Sequence, residues 1–228
     1  MKKFFLCISL LFLLSCEMSV TTEMYITDII NFTKNKNKQE ELFLNCSIDF
    51  EISSEDEYNK NPEKYINILN NAFLDVKDPV IKNRDLSTYL SAKGKISFLK
   101  DIQKAQDIEK SLIYLTYDED DKYIKVYFNI ETDKYQQLNY TIKENTYQDI
   151  KMKDFNICID LQNDRQEPCE ITVYSSYVNN EPILYNKTFQ IKKRENLNIF
   201  LSNIFKDYSM LNGKECFIKI LKSEKKNK

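Results

Sequence analysis

Alternation of apolar and polar residues predicts strands along much of the chain. From residue 42 to 52 every even position is apolar and most odd positions are polar, which is the period of a strand with one buried face. The segment 112–128 contains two such runs around an acidic turn, the pattern of a hairpin. Shorter runs predict the remaining strands at 19–25, 86–99, 155–164, 169–191, 197–201 and 216–221.

Helical spacing predicts four helices between these strands. In the segment 55–75 apolar residues recur three or four positions apart, and Pro62 can occupy the first turn. Thr27 is a suitable N-cap for a helix that ends in the Lys/Asn run before residue 38. Residues 131–150 have the pattern of a helix and a connector. Ser202 and Gly213 are placed to begin and end a last short helix.

A change in character near residue 150 predicts two domains and the fold class α+β. Residues 16–150 mix strands with helices and are expected to form an α+β domain, an antiparallel sheet with helices. Residues 151–222 hold short, evenly spaced strands, which favour a small, mostly-β, immunoglobulin-like sandwich domain. The segment 1–15 is expected to be a signal peptide, and the charged segment 223–228 a disordered tail.

The N-terminal segment has the pattern of an export signal. Lys2 and Lys3 precede an apolar run over 4–14, which is too short to cross a bilayer. Its end, Leu13-Leu14-Ser15-Cys16, resembles the lipobox of bacterial lipoproteins. The resemblance implies cleavage before Cys16 and a diacylglycerol on its sulfur, hence membrane anchoring. The alternative is an ordinary secretory signal in which the cysteine is there by chance.

Composition excludes most familiar enzyme classes. The chain has no histidine and only two glycines, Gly94 and Gly213. Without histidine there is no Ser-His-Asp or Cys-His arrangement and no His-based metal site. Without more glycine there is no phosphate-binding loop or dinucleotide-binding turn. The 33 Lys+Arg nearly balance the 35 Asp+Glu, so a nucleic-acid partner has no electrostatic support. We therefore expect no enzyme, no cofactor and no metal site.

Four cysteines remain after the signal and the proposed anchor. Cys46 lies on an apolar strand face and is expected to be a buried free thiol. Cys158 and Cys169 flank a predicted hairpin turn, so a disulfide between them is a candidate. The alternation predicts opposite faces for them. The residues two positions from Cys158 are polar on both sides, whereas those that follow Cys169 at every second position are apolar. Free thiols are therefore the alternative.

One face of the 112–128 hairpin is a candidate binding face. It carries Tyr114, Tyr123 and Tyr127, and tyrosine is common in recognition surfaces. The alternative is that this face packs against a helix or the second domain. The hairpin turn, 118–121, lacks the glycine and glutamate of a calcium-binding EF-hand loop, so a solvated acidic turn is expected.

Longer segments extend the resemblance at the lipobox. "CEMSVTTEMYITDII", "ICIDLQND", "ITVYSSYVNNEPILYNKTFQI" and "LNIFLSNIFKD" resemble a family of uncharacterised bacterial and phage lipoproteins. The resemblance implies only the anchor at Cys16. We expect a lipoprotein of the bacterial cell envelope, on the inner or outer membrane, that binds an unidentified envelope or phage protein. One alternative is a prophage-type lipoprotein that interferes with phage infection. Another is a glycan-active enzyme that uses carboxylates alone.

Overall fold

A single curled sheet runs through the chain. The computed structural model describes residues 17–34, 41–100, 111–146 and 149–222, and thirteen strands in these ranges form one mixed sheet shaped as a half-barrel. The strands are β1 (Met18–Tyr25), β2 (Glu41–Ile52), β3 (Leu74–Arg84), β4 (Ser87–Lys100), β5 (Ile113–Glu119), β6 (Tyr123–Ile130), β7 (Phe155–Gln162), β8 (Cys169–Tyr174), β9 (Ser176–Val178), β10 (Glu181–Pro182), β11 (Asn186–Ile191), β12 (Asn196–Leu201) and β13 (Lys214–Leu221).

Five helices accompany the sheet in the described ranges. Asparagine or serine side chains cap three of them: Ser54 accepts from the backbone N–H of Glu57, Asn61 from that of Lys64, and Ser202 from that of Phe205. The helices are α1 (Ile26–Lys34), α2 (Glu55–Lys60), α3 (Pro62–Ala72), α4 (Thr132–Thr146) and α5 (Asn203–Asn212), and a 3-10 turn spans Met152–Asp154.

The strand order brings distant parts of the chain side by side. It is β10-β9-β12-β7-β1-β2-β4-β5-β6-β13-β8-β11, with β3 also paired to β4. β1 pairs with β7 in parallel from Met18 opposite Phe155 to Tyr25 opposite Gln162. β13 pairs with β6 near the other end of the order. Strands after residue 150 therefore flank strands before it on both sides.

A bent hairpin links the two ends of this strand order. β8 and β9 are separated only by Ser175, whose φ of 41° marks a sharp bend. β8 pairs with β13 at one end of the order, whereas β9 pairs with β12 at the other. The hairpin turns back at Asn179 and Asn180, both at positive φ, as a tight two-residue turn requires. Its return strands, β10 and β11, follow the same bend.

One face of the sheet carries the main hydrophobic core. Val20 faces Ile48 on one neighbouring strand and Ile157 on the other, and all three are buried. Apolar side chains from four of the helices join the same core cluster, among them Ile29, Leu69, Leu138 and Phe205. Alternating strand residues thus supply a continuous apolar surface, and the helices cover it with their own buried faces.

The predicted fold class, an α+β domain followed by an immunoglobulin-like sandwich, is wrong. The protein is mostly β, and its strands form one sheet. The expectation failed because alternation shows that a strand has one buried face but does not show which strand lies beside it. The strands predicted to form a sandwich of their own instead pair with β1 and β6.

Several local predictions are confirmed. The hairpin of β5 and β6 forms, with Leu115 opposite Phe128, and Gly213 ends α5 at a φ of 85°. The helix predicted over 55–75 is divided between α2 and α3, because Asn61 caps a new helix that starts at Pro62. Gly94 pairs regularly with Cys46. A Cβ at Gly94 would lie 3.0 Å from Ile48 Cδ1, so close packing explains this glycine.

The shared sheet predicts that the two halves of the chain fold together. A fragment ending at residue 150 would lack β7 and β13 and would leave backbone groups of β1 and β6 unpaired, which is costly when they are buried. We expect such a fragment to lack a cooperative thermal transition by far-UV circular dichroism. The full chain should show one transition with coincident probes. A fragment that melts cooperatively on its own would contradict the single-sheet fold.

Candidate functional site

The predicted anchor residue, Cys16, lies outside the described residues, but the fold begins directly after it. The backbone N–H of Glu17 donates to the Glu51 carboxylate at 3.3 Å, and β1 starts at Met18. Two residue steps separate Cys16 from Met18 in the sequence, and an extended backbone spans at most about 7 Å in two steps. Whatever Cys16 carries is held close to this end of the sheet.

The three tyrosines of the predicted binding face occur on one face of the β5–β6 hairpin. Tyr114 is 6% exposed and packs with Leu99 in a small cluster apart from the main core. Burial raises its pKa to about 12, with the nearby Glu131 adding to the effect. Tyr123 and Tyr127 are half-buried. Only these two offer surface to another molecule, and their role in binding stays a prediction.

Lysine side chains lie over the rings of the accessible tyrosines on this face. Lys122 Nζ lies 5.2 Å from the ring centroid of Tyr123, and Lys214 Nζ lies 4.8 Å from that of Tyr127. On the neighbouring strands Lys219 Nζ lies 5.0 Å from the ring of Tyr174. These contacts are cation–π pairs. We call Tyr123, Tyr127 and Tyr174 with their lysines the tyrosine face.

The acidic turn at the tip of the hairpin is held by its own backbone. Asp120 accepts from the N–H groups of Lys122 and Tyr123, at 2.9 and 2.8 Å. Its carboxylate also lies 3.0 Å from Lys125 Nζ. The hydrogen bond from Lys125, followed by those from the two N–H groups, lowers the pKa of Asp120 to about 2. The turn is exposed and acidic, as predicted.

The cysteine pair predicted as a disulfide candidate lies on strands that are not paired with each other. Cys158 on β7 faces Thr21 and Phe200, and Cys169 on β8 faces Ile191. The β7–β8 hairpin on which the pairing depended is therefore absent, and both residues are buried free thiols. Cys46 is a buried free thiol, as predicted, and burial raises its pKa to about 12.

A groove lies where β9 and β12 meet the start of α5. It encloses about 400 Å³, and three partly exposed apolar side chains, Tyr177, Phe200 and Ile204, line it. Polar groups at its edge come from the start of the helix and from β7. Its remaining lining residues are Asn156, Ile157, Leu201, Ser202, Asn203 and Lys206.

Lys206 is the unusual residue of this groove, because a lysine is almost never fully buried without partners. It is 1% exposed, and its Nζ donates to the backbone oxygen of Phe155. Loss of solvent lowers its pKa to about 8, and the carboxylates of Asp207 and Asp154 oppose this shift. Lys206 thereby joins α5 to the first residue of β7.

The groove can bind an apolar or amphipathic group, and little in it can do chemistry. The ionisable side chains among its lining residues are Lys206 and Tyr177, and the Lys206 amine already donates to the backbone oxygen of Phe155. Within 17–34, 41–100, 111–146 and 149–222, no three His, Cys, Asp or Glu side chains come together as a metal site would need. None of the helices in those ranges is both long enough and apolar enough to cross a bilayer.

Comparison with known proteins identifies a family for this chain. The family described as "Domain of unknown function (DUF7424)" matches residues 18–226, a range that contains every strand and helix described above. The chain belongs to the DUF7424 family. No curated protein and no solved structure matches it. The DUF7424 match begins at Met18, where β1 begins.

Sequence reasoning missed both Lys206 and the groove. A signal was present in the last helix, where Ile204, Tyr208 and Leu211 stand at i, i+4 and i+7. That spacing normally marks the buried face of a helix. In the structure these three side chains are exposed, and α5 buries Phe205, Lys206 and Ser209 instead.

The buried amine of Lys206 predicts a dependence of stability on pH. Between pH 8 and 10.5 the unfolded chain holds a proton that the folded chain has released, so raising the pH favours the folded state. Across this interval the free energy of unfolding should rise by about 3 kcal/mol relative to Lys206→Met. Urea denaturation of both proteins at several pH values measures this difference. A difference that does not change with pH would contradict the burial of the amine.

Proposed function

We propose that this DUF7424 protein is a bacterial lipoprotein, held on a membrane through Cys16, that acts as a non-enzymatic binding protein of the cell envelope. The observation that carries the proposal is the lipobox-like Leu13-Leu14-Ser15-Cys16, which stands one residue before the first described residue of the fold. A cysteine in that place can carry lipid without an intervening linker. The folded part would then lie at the membrane surface.

The anchor has a simple energetic basis. A single acyl chain binds a membrane only marginally, whereas two or more hold it firmly, at about 0.8 kcal/mol for each buried CH₂. A diacylglycerol on the Cys16 sulfur supplies two chains. The sheet therefore needs no membrane-spanning segment of its own to stay at the membrane.

The tyrosine face is the surface we propose for a protein partner. Tyr123, Tyr127 and Tyr174 are half-buried, and such tyrosines with nearby cations are typical of binding surfaces. Following the strand register from β1 through β2, β4 and β5 brings Tyr123 to the opposite end of the sheet from Met18. Tyr123 and Tyr127 therefore lie at the end of the sheet away from an anchor at Cys16, whereas Tyr174 lies next to the bend at Ser175.

Absence of the usual catalytic groups supports a binding role over an enzymatic one. The chain has no histidine, so general acid–base catalysis would depend on carboxylates or a lysine. The groove beside α5 has no carboxylate among its lining residues. Lys206 in its wall already donates to Phe155.

The anchor predicts a specific effect of Cys16→Ala. Expressed in a bacterium, the wild-type chain should label with radioactive palmitate and sediment with membranes. Cys16→Ala should lose both properties, because the sulfur that accepts the diacylglycerol is gone. Cys46→Ala is the matched control and should label like the wild type. Palmitate labelling of Cys16→Ala would refute anchoring at this residue.

The tyrosine face predicts loss of a partner without loss of folding. We expect Tyr123→Ser with Tyr127→Ser to reduce cross-linking to the main partner captured on intact membranes by about tenfold or more, since each removes a ring from the contact. Tyr140→Ser, which removes an exposed ring from α4, is the matched control and should leave cross-linking unchanged. Circular dichroism checks folding. Equal cross-linking in both variants would place the binding surface elsewhere.

A further inference from the structure

The start of β1 identifies one end of the sheet as the end nearest to Cys16. Met18 pairs with Phe155 of β7, and the next strand, β12, runs antiparallel and finishes at Leu201 beside this end. β9 begins there, with Ser176 opposite Leu201. The bend at Ser175 and the start of α5 therefore lie at the same end of the sheet as Met18.

Exposed apolar side chains are concentrated at this end. Leu184 and Tyr185 are 81% and 82% exposed on the bend of the hairpin, where the backbone oxygen of Tyr185 accepts from the N–H of Ser175. Ile204 and Leu211 are 83% and 85% exposed on α5. We call Leu184, Tyr185, Ile204, Tyr208 and Leu211 the apolar end patch.

A hydrogen bond joins the bend to the start of the helix, so the two groups of exposed apolar side chains lie at the same end of the sheet. Ser202 Oγ, at the cap of α5, donates to the backbone oxygen of Ser175 at 2.8 Å. The groove beside the start of this helix is lined by Tyr177, Phe200 and Ile204. Large contiguous apolar surface on a soluble domain marks contact with another molecule or a membrane.

Buried contacts hold α5 in its orientation. Unlike an ordinary surface helix, α5 turns its apolar stripe outward. Its buried side includes Lys206 and Ser209, while Ile204, Tyr208 and Leu211 share the exposed side. The bond from Lys206 to Phe155 ties the helix to the residue paired with Met18. Rotating α5 to bury its apolar stripe would break this bond, so the stripe remains outward.

We propose that the apolar end patch rests in the interfacial layer of the lipid bilayer to which Cys16 is anchored. The proposal rests on the proposed lipid anchor. Because only Glu17 lies between Cys16 and β1, this end of the fold cannot stand away from the bilayer. Aliphatic and tyrosine side chains are those that partition into the interface.

The surrounding charges limit which side of this end meets the lipid. Lys151 is exposed just before the 3-10 turn that contacts α5, and Lys153 is exposed on that turn. Lysines in such positions can extend to lipid phosphates. Asp207 is the acid on α5 itself. The acidic start of α2, 55–57, follows β2, two strands away from β7 in the order. The α5 side, not the α2 side, is therefore the one that suits an anionic surface.

The chain contains no tryptophan, so single tryptophan variants report on one site each. Ile204→Trp and Leu211→Trp place the reporter in the patch, and Phe43→Trp places it on β2 at the opposite end of the sheet. Each lipidated full-length protein is reconstituted into vesicles of phosphatidylethanolamine and phosphatidylglycerol, with or without brominated phosphatidylcholine. Mass spectrometry verifies the acyl groups, and circular dichroism verifies folding.

We expect the emission of both patch variants to shift to shorter wavelength in vesicles and to lose intensity in brominated lipid, with Phe43→Trp unchanged. No quenching in acylated, vesicle-bound protein would overturn the membrane contact and leave the anchor intact. A shift without quenching would also overturn it, since protein would then cover the patch. Quenching of all three reporters would contradict the proposed orientation of the protein, in which the apolar end patch and not the Phe43 end faces the bilayer. A chain without acyl groups would instead refute the proposed anchor, and the contact with it.

Discussion

The parallel pairing of β1 with β7 is the constraint on which the rest of the molecule depends. It joins the first strand of the chain to one more than 130 residues later, in a register that runs through eight residue pairs. Backbone groups of a buried strand need partners on both sides, and β2 and β7 supply them for β1. Because β12 then pairs with β7 and the bent hairpin with β12, the order of half the sheet follows from this one contact.

Local structure could be predicted from the sequence far better than strand pairing. The β5–β6 hairpin and the α5 caps depend on neighbouring residues, and both follow from alternation, Ser202 and Gly213. The pairing of β1 with β7 produces no local sequence pattern from which it could be predicted. β3 was missed because Pro79 and two positive-φ aspartates interrupt its pattern, yet register shifts let it stay on β4.

The surfaces proposed for binding illustrate the same limit. The hairpin correctly places Tyr114, Tyr123 and Tyr127 on one face, but only tertiary packing buries Tyr114. The apolar stripe of α5 can be recognised in the sequence, but periodicity alone assigns such a stripe to the core. The orientation of α5 depends on buried tertiary contacts, among them the bond from Lys206 to Phe155, which exists only after β7 has paired with β1.

The bent hairpin also determines how the sheet can meet other chains. β10 and β11 belong to one continuous segment, 181–191, which in the described residues forms both ends of the strand order. A third open border, β3, is interrupted by register shifts and by Pro79, features that oppose strand addition. Because β10 has two residues, β11 with its six is the longer unbroken border at the ends of the order. A chain so rich in strands is thereby protected from open-ended polymerisation edge to edge.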